Sequence, residues 1–273
     1  MVRSALRRSL LTRATERAHP LDPADLDGAT LVLAPHPDDE TLGSGGLVAR
    51  LRDLDRPVHI VFMTDGAGSH PILEPQELAS RRREEATRAA AVLGVGPEHL
   101  DFLDIRDGTL ADHRDEAVAN VGRLLDEVRP ERVVLPHRCE PNRDHAATND
   151  VAAAAVRRSG RPVQALAYLV WFWDQWPFTN PLSEPRVRHT RRQVLETARE
   201  GRLGLTVTRR LTHAVDVAGV LDRKRAALAE HRSQTARPEG QDEWLTLADV
   251  AGGDWLDLLL QPVELYAVGE LAP

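Results

Sequence analysis

Short apolar runs of strand length recur along the first two thirds of this chain, each followed by a stretch with a different period. The runs are residues 29–34 (Ala-Thr-Leu-Val-Leu-Ala), 57–63, 100–105, 131–136 and 163–170. Between them, residues 77–93, 115–128 and 146–158 carry apolar side chains at helical spacing, and Gly94 stands where a C-cap belongs. A shorter helix is expected over 46–53, from Leu47, Val48 and Leu51. Parallel strands need a crossover that is usually a helix, and helices on both sides leave the strands apolar throughout. The expected fold class is therefore α/β, a Rossmann-like, mostly parallel sheet flanked by helices on both faces. Past Trp171 the pattern loosens into a loop at 177–185, a late strand within 211–217, a helix over 220–231, a loop at 233–240 and ambiguous apolar runs at 256–260 and 263–268. With no repeat, low-complexity tract or linker, the 273 residues read as a single domain over 1–273. Residues 1–25 form an N-terminal helix or arm, and 171–273 a looser C-terminal part.

Composition removes several function classes. Lys plus Arg is 35 against 42 Asp plus Glu, a net charge of −7, which argues against general binding of nucleic acid or of an anionic membrane. No apolar run reaches the roughly 20 residues that a membrane-spanning helix needs. The arginine-bearing N-terminus lacks the apolar core of a signal peptide. The only cysteine is Cys139, so no internal disulfide forms. The expected location is the cytoplasm.

The first strand runs directly into Pro35-His36-Pro37-Asp38-Asp39-Glu40. In open α/β sheets, ligands bind beyond the carboxyl ends of the strands. The two prolines hold this loop extended, with one histidine and three acids in five residues. His36 and Asp39 offer an imidazole nitrogen and a carboxylate oxygen, donors that suit Zn²⁺. A catalytic zinc takes a third protein ligand, and the run 131–136 ends in a loop holding four candidates: His137, Glu140, Asp144 and His145. Gly43, Ser44, Gly45 and Gly46 admit a competing reading as a phosphate cradle in a nucleotide-binding protein. They lack the Gly-x-Gly-x-x-Gly spacing and a following Lys-Ser or Lys-Thr, so close helix–sheet packing is the preferred reading.

The chain resembles the LmbE-like, or PIG-L, family of zinc-dependent N-acetylglucosaminyl deacetylases. Residues 35–40 match that family's Pro-His-Pro-Asp-Asp-Glu motif, and Asp144-His145 matches its Asp-His at a helix start. Weaker matches are Thr64-Asp65-Gly66, the pair Arg82 and Glu85 before Leu93-Gly94-Val95, and Lys224 through Ser233-Gln234. The resemblance implies that His36, Asp39 and His145 hold the metal and that Asp38 is the general base, then the acid. It implies an amino sugar or its conjugate as substrate and removal of its N-acyl group, most simply acetyl. A different amide remains an alternative. Fe²⁺ fits the same ligands, and family members often self-associate, so a homo-oligomer is an allowed state.

One position departs from the family pattern. A histidine usually stands three residues before the last ligand, held by the intervening aspartate. Here it is Asn142. An amide can donate a hydrogen bond to an oxyanion but cannot shuttle a proton, so the partner of Asp144 must also change. His137, on the same loop, is the candidate to take over part of that role. Arg82, Asp65 and Asp107 are candidate substrate contacts, each with a plainer reading: a solvated helix face for Arg82 and turn formation for the two aspartates. Trp171, Phe172, Trp173, Trp176 and Phe178 read as core or a subunit contact before a sugar platform. His231 reads as lining the cleft mouth or as an ordinary helix C-terminus.

Overall fold

The structure is a computed structural model that describes residues 2–70, 73–175, 178 and 205–272. Its centre is an eight-stranded sheet. In chain order the strands are β1 (His19–Pro20), β2 (Thr30–Ala34), β3 (Val58–Thr64), β4 (Leu100–Ile105), β5 (Arg132–Pro136), β6 (Val163–Tyr168), β7 (His213–Asp216) and β8 (Val263–Leu271). Across the sheet they lie β1-β7-β8-β6-β5-β2-β3-β4. β4, β3, β2, β5 and β6 are parallel, and β8 runs antiparallel to both β6 and β7. The mostly parallel α/β fold is thus the one expected.

Alternation along the strands divides the core in two. Leu31, Leu33, Val61, Met63, Val133 and Leu135 point to one face, where they pack on α4 (Arg114–Val128) and α5 (Arg143–Ser159). Val32, Ala34, Ile60, Phe62 and Val134 point to the other, packing with α2 (Asp39–Asp53) and α3 (Pro75–Leu93). All five residues of β2 are buried, as a strand covered on both sides requires. The N-terminal helix α1 (Val2–Arg17) is packed rather than free: Leu10 and Ala14 are buried, and Arg7 donates to the Phe178 carbonyl at 3.2 Å.

Two local expectations are corrected. α2 begins at Asp39, seven residues before the expected start, so Gly43–Gly46 lies inside a helix and makes no phosphate loop. The reason is packing. A Cβ on Gly43 would stand 2.3 Å from a Tyr168 ring carbon, and one on Gly46 would stand 2.5 Å from Val217. Only glycines let this helix lie so close to the sheet, which outweighs their poor helix propensity. Second, residues 232–235 form a helical turn that overlaps the start of the expected 233–240 loop. The ambiguous run at 256–260 falls in a short helix (Asp254–Leu259), and the run at 263–268 is β8. Trp176 and most of the 177–185 loop lie outside the described residues. Phe172, Trp173 and Phe178 are buried against one another, and Trp171 stacks on Trp255 at 4.6 Å, so these aromatics are core.

Candidate metal centre and active site

β2 leads on to β3 and β4 on one side of the sheet, and β5 leads on to β6 on the other. β2 and β5 pair directly, so the connections diverge between them. That is the topological switch point of an open α/β sheet, where a crevice opens beyond the strand ends. The loop after Ala34 carries His36 and Asp38 and feeds α2. The loop after Pro136 carries His137 and Glu140 and feeds α5, whose first turn holds Asp144 and His145.

The two loops meet. The rings of His36 and His145 lie with centroids 5.4 Å apart. Between them, Asp39 Oδ2 is 3.1 Å from His36 Nδ1 and 3.1 Å from His145 Nε2, and it also accepts from the His36 backbone N–H at 3.0 Å. His36 is 8% exposed, while Asp39 and His145 are wholly buried. Atoms that share one ion through bonds of 2.0–2.2 Å stand about 3.0–3.5 Å apart, and both distances to Asp39 Oδ2 fall in that range. Among the described residues, Asp39 Oδ1 and both ring nitrogens of His145 are buried without a hydrogen bond of regular geometry. Orphaned buried donors and acceptors of this kind are costly unless something else satisfies them. The donor set and its unsatisfied atoms therefore fit a divalent cation of the Zn²⁺ type.

Behind His36 lies a second carboxylate pair. His36 Nε2 is 3.3 Å from Asp144 Oδ2 and 3.4 Å from Asp107 Oδ1. Asp144 is anchored by the backbone N–H groups of Gly108 at 2.6 Å and Leu110 at 3.2 Å. This is how ligand histidines are usually held, with a carboxylate on the nitrogen facing away from the ion. Burial pushes the His36 pKa down, but Asp107, Asp144 and Asp39 outweigh it and hold the ring well above its ordinary value. His145 is likewise lowered by burial and raised by Asp39 and Glu140, to about 9.

Asp38 stands at the N-cap of α2 with φ +140°, a conformation that non-glycine residues rarely adopt. Its side chain makes no capping bond and instead pairs with Arg82 Nη2 at 3.0 Å. Burial pushes its pKa up to about 6, with Arg82 pulling the other way and Asp39 adding to the rise. Two buried groups fix this strained residue. Arg82 donates to the carbonyls of Gly66 at 2.8 Å and of Pro37. Glu40 Oε2 accepts from the Asp38 N–H at 2.9 Å, while its Oε1 faces His231 Nε2 at 2.9 Å.

Of the remaining sequence candidates, Asp107 reaches His36, while Asp65, Asn142 and His137 bond to the loops and helix start around the cluster. Asp107 Oδ2 accepts from Gly68 N–H at 3.0 Å, so one oxygen serves the loop while the other faces His36. Asp65 Oδ1 accepts from Ala67 and Asp107 N–H groups, both at 2.9 Å, and shapes the turn beneath. Asn142 caps α5, its side-chain oxygen taking the Asp144 N–H at 2.8 Å. His137 is buried, and its Nδ1 accepts from the Cys139 N–H at 3.1 Å. Burial, with Arg210 and Arg138, pushes its pKa down to about 4. The ring is therefore neutral near pH 7 and carries its proton on Nε2.

Four further side chains named in the sequence take supporting places that the sequence does not specify. His231 is fully buried and does not line a cleft mouth. Arg82 and Glu85 share the buried stripe of α3 while Arg81, Arg83 and Glu84 are exposed. Glu85 accepts from Ser233 N–H at 2.8 Å and from its hydroxyl at 2.6 Å. Lys224 donates to Glu264 at 2.7 Å and to the carbonyls of Leu42 and Leu259. Helical periodicity carries the signal for Glu85, since Leu78, Arg82, Glu85, Ala86 and Ala89 fall on one face. No sequence signal pairs Glu85 with Ser233.

A doubly wound sheet with a histidine–aspartate–histidine cluster at its switch point defines the class: an α/β protein carrying a candidate metal centre. The family profile described as PIG-L, GlcNAc-PI de-N-acetylase, matches residues 31–156, the span that contains every member of this cluster. The 1D-myo-inositol 2-acetamido-2-deoxy-alpha-D-glucopyranoside deacetylase of Nocardia farcinica is 30% identical over 253 residues, spanning 79% of this chain and 83% of the relative. The chain belongs to the PIG-L, or LmbE-like, family. Among solved structures, N,N'-diacetylchitobiose deacetylase from Pyrococcus horikoshii matches with a TM-score of 0.61 at 22% identity, over 90% of this chain and 85% of that one. GalB, the 4-carboxy-2-hydroxymuconate hydratase from Pseudomonas putida, matches with a TM-score of 0.54 at 18% identity, over 90% of this chain and 97% of that one. At these identities both likenesses concern the fold alone. No helix among the described residues is long and apolar enough to cross a membrane.

Proposed function

We propose that this chain is a zinc-dependent N-deacetylase that removes the acetyl group from a 2-acetamido sugar carried on a larger conjugate. The observation that carries the reading is the buried cluster of His36, Asp39 and His145 with Asp38 beside it. The family supports the reaction class. The Nocardia relative is named for a 2-acetamido-2-deoxy-glucopyranoside, which supports the substrate class. The hydratase neighbour carries the same fold with a different named reaction, so the substrate must be tested directly.

His36 through Nδ1, Asp39 and His145 through Nε2 would hold the ion. When bound, the ion supplies Lewis acidity, polarising the amide carbonyl and acidifying the attacking water. Asp38, ionised, accepts the proton of that water as its oxygen adds to the acyl carbon. The same carboxyl, now protonated, gives the proton to the amine nitrogen as the C–N bond breaks. Acetate and the free amino sugar result. Arg82 keeps the Asp38 carboxylate aimed and ionised despite its burial. The neutral His137 ring keeps an Nε2–H that can donate a hydrogen bond, but at neutral pH it is not the imidazolium that a proton-transferring acid would need.

The test is hydrolysis of a panel of N-acetylated glucosamine conjugates by the zinc-loaded protein, followed by amine release. At least one member should turn over, and Asp38→Asn should lower kcat by about 10²–10⁴ while leaving zinc content unchanged. Absence of turnover across the panel in a protein that holds stoichiometric zinc would sink the substrate class. Retained turnover in Asp38→Asn would sink the assignment of the base.

A further inference from the structure

Glu140 is buried as completely as the histidine beside it; neither side chain is exposed to solvent at all. Its carboxylate collects three backbone donors from the turn that follows β6. Oε1 accepts from the N–H groups of Val170 at 2.9 Å and Phe172 at 3.1 Å, and Oε2 from that of Trp171 at 2.8 Å. Three peptide donors fix both oxygens in space and already satisfy much of what a buried anion requires. The carboxylate then has one further neighbour: Oε2 stands 3.2 Å from His145 Nδ1. That contact lies off the line of a regular hydrogen bond, and His145 Nδ1 has no other regular partner among the described residues.

The consequence is a matter of tautomers. An ionised carboxylate only accepts, so the ring nitrogen that faces it must carry the proton. With the proton on Nδ1, His145 Nε2 presents a bare lone pair, and Nε2 is the atom 3.1 Å from Asp39. If Nε2 kept the proton, the ring could not serve as a ligand and Nδ1 would point a lone pair at an anion. The carboxylate is not free to swing away, because the 170–172 turn holds it.

We propose that Glu140 is a positioning residue for the metal centre: it sets the tautomer and ring orientation of His145, and it ties the turn after β6 to the loop after β5. The inference rests on the metal-site reading given above. Aspartate 144 does the corresponding work behind His36, so each ligand ring has a buried carboxylate on its far nitrogen. Glu140 differs in drawing its own support from a separate strand end, which makes the 170–172 turn part of the site although it touches no ion.

The competing role is a latch only, in which Glu140 joins two loops and the His145 contact is incidental. Metal affinity separates the two. Zinc binding to the full chain is measured by competition with a chromophoric chelator, for the wild type and for Glu140→Gln. A glutamine keeps the size but offers one acceptor oxygen and an NH₂ that cannot face both the turn donors and a protonated Nδ1. Positioning predicts zinc affinity about 10–100-fold weaker in Glu140→Gln. A lower Tm with wild-type zinc affinity overturns the proposal and leaves the latch. Should Glu140→Gln not fold, long-range ¹H–¹⁵N spectra of the zinc-loaded wild type decide: a proton on His145 Nδ1 supports the proposal, and a proton on Nε2 overturns it. A wild type that binds no zinc overturns the metal-site reading itself, an outcome distinct from equal binding by both proteins.

Discussion

Replacing Arg82 with methionine distinguishes a buried clamp on the general base from a contact with substrate. Arg82 is 3% exposed and 3.0 Å from Asp38 Oδ2, and it also serves the Gly66 and Pro37 carbonyls. Removing one partner of a buried ion pair costs about 3–5 kcal/mol, because the other charge is left uncompensated. For a chain of this size each kcal/mol moves Tm by about 2–4 °C, so a fall of roughly 6–20 °C is expected. The catalytic effect has a definite sign. Asp38 acts as base only when ionised, and Arg82 favours the ionised form. Without the guanidinium the Asp38 pKa rises. An opposite charge at this distance is worth about 1–3 pH units for a carboxylate. The rising acid limb of kcat/KM therefore moves to higher pH by that amount. A divalent ion at the neighbouring cluster lowers the limb in wild type and variant alike, so the difference survives. The assay is a kcat/KM–pH profile of the zinc-loaded enzymes, with thermal melts in parallel. Arg82→Lys, which keeps the charge without the fork, should hold the limb near its wild-type position while losing stability. A higher KM for Arg82→Met with an unmoved limb and Tm would refute the clamp and make Arg82 a substrate contact.

Three further perturbations follow from the packing and the charges. Gly43→Ala drives a methyl group into the buried Tyr168 ring, and the overpacking of up to about 3 kcal/mol exceeds the roughly 1 kcal/mol of helix propensity gained. Tm should drop by about 4–8 °C, whereas Gly122→Ala, inside α4 with nothing within 4 Å of the new methyl, should hold or raise it; equal behaviour of the two would remove the packing explanation for the glycine run. Glu40→Gln weakens the hold on the Asp38 backbone and on His231, and kcat should fall with KM little changed, at a stability cost of about 1–3 kcal/mol; a change in KM alone would contradict this. Stripping the metal with a chelator should abolish deacetylation and lower Tm, since an ion present at 1,000 times its Kd stabilises by about 4 kcal/mol; readded Zn²⁺, but not Mg²⁺, should restore both, because two of the three donors are imidazole nitrogens.

The parallel core was legible because the central strands β2, β3 and β5 are almost wholly buried and the strands are separated by helices of ordinary period. The helix start at Asp39 was not. Close packing was the preferred reading of the four small residues, three of them glycines, but the helix was expected to start only at the last of them; the Tyr168 ring lying across Gly43 shows that the helix itself runs through them. The candidate ligand set was half legible. His36 and Asp39 stand three apart on one strand end, but the loop after β5 offers four candidates, and spacing alone does not choose among them. The choice of His145 came from the resemblance. What brings it to His36 is the pairing of β2 with β5, a contact across about 100 residues that no local pattern encodes. Arg82 was misleading for another reason. It sits among three consecutive arginines, and a charge run suggests solvent, although its place in the stripe of Leu78, Ala86 and Ala89 puts it inside.

These buried charges explain how a strained residue persists at the centre of the site. Asp38 at φ +140° stores about 1–3 kcal/mol that a glycine there would release. A glycine would also delete the carboxylate proposed to move protons beside the cluster. The surroundings hold the strained form instead: Arg82 from α3 on the side chain, and Glu40, itself paired with His231, on the backbone N–H. Each clamp is worth little on the surface but much when it is desolvated and satisfied, and all three clamping side chains are buried. The same logic governs the other loop, where Asp144 and Glu140 stand behind the two candidate ligand rings. Backbone strain and buried charge therefore coincide beyond the ends of β2 and β5, while the strands leading there obey local rules. This distribution is what a site demanding fixed geometry requires, since a base and three ligands free to relax would lose the alignment that proton transfer needs.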